Sequence, residues 1–256
     1  RLFERQPRGY VPTAAGLEAR EAAKRMEAEM AGLSRRLLGR DLRLEGSVRL
    51  TAPDDLMETL LIDRLARFRQ RHPGIRVEAV IDNRMLSLTR READLAVRPT
   101  RDPDEALVGR RVAAVATAVY GNPARVTFRA PAPSPAALAD CPWIGWEQGS
   151  APASLGAWMR RTVPGPQVVY RTNSMLNQLT ASWAGLGFAL LPCFLGDTSP
   201  ELVRVLGPLE DLETGLWLLT HEDLRRTARV RALLDFLFEE LKTQRPLLQG
   251  DKPRKI

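Results

Sequence analysis

Between residues 46 and 243 short β-branched runs alternate with stretches that carry an apolar stripe at helical spacing, and this alternation limits the fold more than any other feature. Val48-Arg-Leu50 alternates as a strand does, and Thr51-Ala-Pro-Asp-Asp55 follows as a turn with helix-start residues. Leu56, Leu60, Leu61, Leu65 and Phe68 then mark one helical face, closed by His72-Pro73-Gly74. Ile75 to Ile81 reads as a second strand, Leu86 to Arg91 as a short helix and Ala93 to Val97 as a third strand. Such strand–helix–strand units build a parallel sheet covered by helices, so the expected class is α/β.

The second half continues the order. Val112 to Tyr120 is a long run of β-branched residues and alanine, expected as one strand passing between two lobes. Strands are expected at Trp143–Trp146, Val168–Arg171, Phe188–Leu191, Leu202–Val205 and Gly215–Thr220, and helices at Ala136–Ala139, Leu155–Arg161, from the Thr172-Asn-Ser174 cap to Ala184, and at Arg225–Lys242. Gln244 to Ile256 contains proline and basic residues and is expected to be a disordered basic tail.

A different pattern precedes this body. Ala19, Ala23, Met26, Met30, Leu33 and Leu37 form a heptad seam within a helix expected from Thr13 to about Leu44. The seam comes before any core that would receive it, which favours a partner helix over packing on its own body. Ahead of it, Leu2-Phe3 and Tyr10-Val11 flank the turn Gln6-Pro7-Arg8-Gly9, a hairpin with Arg5 and Arg8 at its tip and Thr13 as the following helix cap. On spacing alone it is either the wing of a winged helix-turn-helix or a surface hairpin with solvated arginines.

Composition sets outer limits. The net charge of +7 comes mostly from arginine; it suits a nucleic-acid partner but is spread along the chain. No apolar run is long enough to span a membrane and no signal-peptide pattern opens the chain. Cys141 and Cys193 each adjoin proline in an apolar context, so two buried thiols in a reducing, cytoplasmic compartment are expected rather than a disulfide. There is no nucleophile elbow, no phosphate-cradling glycine loop and no metal-ligand spacing; His72 and His221 stand apart. A non-enzyme with neither metal nor cofactor is the expectation.

The N-terminal pattern Leu2-Phe3-x-Arg5-x-x-Arg8-Gly9-x-x-x-Thr13-x-Ala15-Gly16 resembles the end of the DNA-binding domain in LysR-type transcriptional regulators, with Pro12 where that family often has leucine. The body resembles the same family's regulatory domain through Val48-Arg-Leu-Thr-Ala-Pro53, Phe68-Arg-Gln-Arg-His-Pro-Gly74, Ala93-Asp-Leu-Ala-Val-Arg98, Leu107-Val-Gly-Arg-Arg-Val112, Tyr120-Gly-Asn-Pro123 and Ala184-Gly-Leu-Gly-Phe-Ala-Leu-Leu-Pro192. The resemblance implies a remnant wing at 1–12, a linker and dimerisation helix at 13–45, and a two-lobed, periplasmic-binding-protein-like effector domain at 46–243. Lobe I would hold 46–117 and 221–243, and lobe II 118–220. The family's recognition helix lies upstream of this motif, so an N-terminally truncated regulator is expected. The implied partners are promoter or operator DNA, contacted by Arg5 and Arg8, a small-molecule effector, and further copies in a homodimer or homotetramer. A solute-binding protein, an effector-sensing fragment without DNA binding, and an enzyme on the same scaffold are the alternatives.

Ligands of such two-lobed folds bind at strand carboxyl ends and helix N-termini, where free N–H groups point outward. Four turns are expected to line the cleft. The first is Pro53-Asp54-Asp55, in which Asp55 either caps the helix or repels carboxylate effectors. The second holds Asn83 and Arg84, the latter either binding an acid or solvated. The third runs from Trp146, either an aromatic wall for a ligand or plain core, through Gln148 to Ser150. The fourth is the donor-rich start Thr172-Asn173-Ser174. Arg98 and Thr100, after the third strand, complete the set.

Overall fold

The computed structural model describes residues 2–6, 9–38, 43–83, 93–126 and 134–251. It opens with a hairpin, β1 (Phe3–Gln6) and β2 (Gly9–Pro12), paired antiparallel. Helix α1 (Ala14–Leu38) follows, and the Thr13 hydroxyl caps it by accepting from the Gly16 amide at 3.1 Å. Residues 39–42 lie outside the described ones, so the expected run to Leu44 is described only as far as Leu38. Along α1, Ala23 and Met26 are exposed and Ala19 is half-buried, while the helix touches the turn Glu222–Leu224 of its own body. The side chains of Leu33 and Leu37 lie outside the described residues.

In the body, β3 (Gly46–Ala52) leads into one continuous helix made of α2 (Asp54–Leu56), a π turn at Met57–Leu61 and α3 (Ile62–Arg71). β4 (Ile75–Ile81), β5 (Leu95–Thr100) and β6 (Leu107–Val115) follow. The short helix expected at Leu86–Arg91 falls outside the described residues. β7 (Thr117–Gly121), β8 (Trp143–Trp146), α4 (Ala153–Thr162), β9 (Val168–Thr172), α5 (Met175–Trp183), β10 (Ala189–Pro192), α6 (Cys193–Gly196) and β11 (Val203–Leu206) form the second unit. β12 (Thr214–His221), α7 (Ala228–Lys242) and α8 (Arg245–Leu248) end the chain.

Lobe I is built on a five-stranded sheet in the order β4-β3-β5-β12-β6, parallel where β3 meets β4 and β5, antiparallel on both sides of β12. Lobe II holds the antiparallel set β10-β7-β11 and the parallel pair β8-β9. Val48, Leu50 and Ala52 alternate inward on β3, and Phe68 of α3 and Leu233 of α7 are buried in the same core.

Three expectations are corrected. The run Val112 to Tyr120 is not one strand: it breaks at Ala116 into β6 and β7, which belong to different sheets. Gly215–Thr220, expected in lobe II, lies in β12 and pairs with β5 and β6 of lobe I, so the chain returns between Leu206 and Thr214. The expected disordered tail is, as far as Asp251, a packed segment. Leu248 of α8 is fully buried, its carbonyl accepts from Ala116 at 2.9 Å, and Arg245 Nε donates to the Val112 carbonyl at 2.8 Å. The apolar gain from Leu248 and these backbone bonds outweighs the polar composition that made the segment look disordered.

Deleting the Leu248 side chain as Leu248→Ala is expected to destabilise the protein by about 2–5 kcal/mol. Urea unfolding would show it as a lower midpoint at unchanged slope.

Candidate functional site

Two turns of lobe I and one of lobe II meet. At the end of β3, Pro53 precedes the first helical turn, and the Asp54 carboxylate accepts from the Asp55 amide at 2.8 Å. Asp55, expected as a cap in one of its two readings, lies inside the helix, whose N-cap is Pro53 without a side-chain cap bond. Asn83, just after β4, accepts from the Asp54 amide at 3.0 Å and sends its own amide N–H across to the Asn173 carbonyl of lobe II at 3.3 Å. Ser174 caps α5 by accepting from the Asn177 amide at 3.1 Å, and its hydroxyl donates to the Asp54 carboxylate. A carboxylate acceptor makes this a charge-assisted bond. α2 and α5, each with its N-terminus at this junction, are in contact.

Beneath the junction lie two buried ionisable side chains. Asp55 is 4% exposed, and burial pushes its carboxyl up to about 7 although the Leu56 amide favours the charged form. Arg98, 7% exposed, comes from the end of β5; burial depresses its pKa, opposed by Asp82 and Asp55. Its guanidinium donates to the Asp82 carbonyl at 2.5 Å and to the Thr51 hydroxyl at 2.8 Å, so it braces lobe I from inside.

The other expected residues divide. Trp146 ends β8, is 9% exposed, and its indole Nε1 is buried without a hydrogen bond. Ser150 folds onto the Glu147 carbonyl at 2.7 Å, and Gln148 stands exposed in that turn. The Thr172 hydroxyl accepts from the Ser174 amide at 3.3 Å, shaping the start of α5. Thr100 closes a local turn with Asp102 at 3.1 Å. Arg84 and Arg8 lie outside the described residues, while Arg5 is exposed on the hairpin. The structure therefore joins Asp54, Asn83, Asn173 and Ser174 directly, with Asp55 and Arg98 below. Gln178, one turn into α5 and 1% exposed, belongs to the same end of lobe II and was not anticipated. In sequence a lone glutamine in an amphipathic stretch carries no signal of burial.

Two open depressions, of about 590 and 570 Å³, lie apart from this junction. The first includes Gly46, at the opposite end of β3, and Arg43, which pairs with Glu45. The second includes Arg101, whose guanidinium is taken by the Asp211 and Glu213 carbonyls. Of the two cysteines, both free, Cys193 is buried as expected but Cys141 is only half-buried; burial raises both thiol pKa values. Among the described residues no group of His, Cys, Asp and Glu is placed to hold a metal ion. Likewise, no described helix is long and apolar enough to cross a membrane.

The family described as the LysR substrate binding domain matches residues 42–242. The chain belongs to the LysR-type regulators. It is 28% identical over 226 residues to the HTH-type transcriptional regulator PtxR of Pseudomonas aeruginosa, covering 82% of this chain and 72% of that relative. It is 26% identical over 250 residues to CrgA of Neisseria meningitidis serogroup C, covering 94% and 82%. The solved structure of CrgA from Neisseria meningitidis superposes with a TM-score of 0.67 at 22% identity, over 94% of this chain and 84% of that one. Full-length AphB, a virulence activator of Vibrio cholerae, superposes at 0.65 and 18% identity, over 93% and 83%. These likenesses show the two-lobed regulatory fold of LysR-type proteins.

Within that regulator fold, Asp55 has a measurable signature. Burial raises its folded-state pKa above that of an unfolded aspartate, so the folded protein holds the proton more tightly. The resulting stabilisation is complete below about pH 4 and is lost as pH rises through about 7. Stability of the wild type should fall across that window by up to about 1.4 kcal/mol per pH unit. Asp55→Asn should remove that component, as read by urea unfolding at a series of pH values.

Proposed function

We propose that the chain senses a small-molecule effector between its lobes and passes lobe closure through α1 to a DNA-binding unit of a cytoplasmic homo-oligomeric regulator. The observation that carries this reading is the junction itself: strand ends and a helix N-terminus from two sheets converge, and their polar groups bond to each other across the gap. A ligand able to replace those bonds would change the relative stability of open and closed arrangements, and the coupling can be no larger than its preference between them.

The chemistry of the junction favours an effector with hydrogen-bond donors or a positive charge. Asp54 and Asp55 present carboxyl groups, while the buried cation below them, Arg98, already gives hydrogen bonds to Asp82 and Thr51. A carboxylate effector would meet repulsion there. The exposed Ala23 and Met26 on α1 suit a partner helix from a second copy. Arg5 on the hairpin suits a phosphate contact, which adds affinity and salt dependence but little sequence choice. Regulation rather than catalysis accords with the relatives, which are named transcriptional regulators.

Asp55→Ala should leave the circular dichroism spectrum unchanged and alter effector-dependent output in a promoter-reporter assay; an unaltered response would remove Asp55 from the sensing role. Arg5→Ala should weaken operator binding evenly across sequences and lower the slope of log affinity against log salt by about 1, measured by fluorescence anisotropy.

A further inference from the structure

Two donors are sealed at the cleft end of lobe II with nothing to donate to. The Trp146 indole Nε1 and the Gln178 amide Nε2 are both shut off from solvent and make no hydrogen bond. Their residues are 9% and 1% exposed. Leaving a buried donor unpaired is destabilising, and folded proteins keep few such groups.

Topology puts both residues at the same end of lobe II. β8 and β9 run parallel, and Phe188, just before β10, bridges Trp143 in the parallel sense. Trp146, paired with Thr172, therefore lies at the strand ends from which the Thr172–Ser174 turn leaves. α5 begins at that turn, and the backbone N–H of Gln178 closes its first turn on the Ser174 carbonyl at 3.1 Å. Met175, Gln178, Leu179 and Ser182 form its buried side, and the helix touches both β8 and β10. Both residues thus belong to the lobe II elements that border the point where Ser174 reaches Asp54.

We propose that Trp146 and Gln178 are the acceptor-reading half of the effector site, and that the effector is a small uncharged molecule with two features. A carbonyl-type oxygen receives the two N–H groups, and a hydroxyl replaces that of Ser174 at the Asp54 carboxylate. The proposal rests on the cleft being the effector site. The acceptor is a neutral oxygen rather than a carboxylate because both donors are neutral, and because Asp54 and Asp55 stand close by. A glutamine kept unpaired in the free protein is a stability sacrifice that the bound effector relieves.

The full chain is tested by saturation-transfer NMR with three probes: 4-hydroxybenzamide, tyramine, which lacks the carbonyl, and 4-hydroxybenzoate, which is charged. The benzamide should bind the wild type more tightly than the benzoate, and Gln178→Leu and Trp146→Phe should each weaken it by roughly three- to tenfold. In the absence of any probe, Gln178→Leu should raise Tm by about 2–4 °C, because it removes a buried donor that lacks a partner. A structural glutamine with a hidden partner would give a lower Tm instead. The proposal is overturned if Gln178→Leu destabilises the protein, if the benzamide fails to bind, or if its binding ignores both substitutions. Binding that ignores Gln178 and Trp146 but is lost in Asp54→Ala removes this proposal alone; binding indifferent to Asp54→Ala as well removes the cleft reading too.

Discussion

A hydrogen bond from Ser174 to the Asp54 carboxylate joins the two halves of the regulatory domain at their mouth. It sits at the start of two helices, α2 and α5. Asn83 repeats the connection beside it, holding the Asp54 amide with its oxygen and the Asn173 carbonyl with its nitrogen. A hydrogen bond to a charged group contributes about 1.5–3 kcal/mol net. That is strong enough to bias closure and weak enough for a ligand of modest affinity to replace. A latch of this size suits a sensor, because the shift a ligand can cause is set by its differential affinity for the two arrangements.

The opposite side of the gap is held differently. The chain passes from lobe I to lobe II at Ala116, whose amide donates to the Leu248 carbonyl and whose carbonyl accepts from the Cys193 amide. The C-terminal segment thus grips the pivot. Gly250 extends the grip by accepting from Arg204 at 2.9 Å, and Arg204 pairs with the buried Asp197, which also accepts from the Tyr120 hydroxyl at 2.7 Å. Burial alone would lower the Arg204 pKa, but the bond to Asp197 carries it above that of a free arginine. A buried ion pair held by further hydrogen bonds is rigid. The two crossings between the lobes are thus held by different chemistry: buried ionic and backbone bonds at Ala116, and polar side-chain bonds at the mouth.

The order of strands and helices was legible because burial imposes period two on β3 and a helical stripe on α3 and α7. The break at Ala116 was not. Val115-Ala116-Thr117 contains no glycine or proline, and the chain bends there because tertiary partners, Leu248 and Cys193, take its backbone groups. The lobe to which β12 belongs was equally hidden, since local pattern marks a strand but not its neighbours. In Arg245-Pro-Leu-Leu248 the proline and flanking charges suggested disorder, yet proline fits the first turn of a short helix and Leu248 fills the core. At the site, Asp54 and Ser174 were readable as helix-start residues after strands. Gln178 was unreadable, because burial of a helical glutamine depends on what lies across from it.

The mouth contact is tested most directly by distance measurement between spin labels at Asp63 of lobe I and Thr180 of lobe II, in a Cys141→Ser background. The chain with Asp54 and Ser174 intact should give one narrow distance distribution. Asp54→Ala combined with Ser174→Ala should shift it to longer and broader values. Identical distributions in the two proteins would contradict the claim that this contact holds the lobes together.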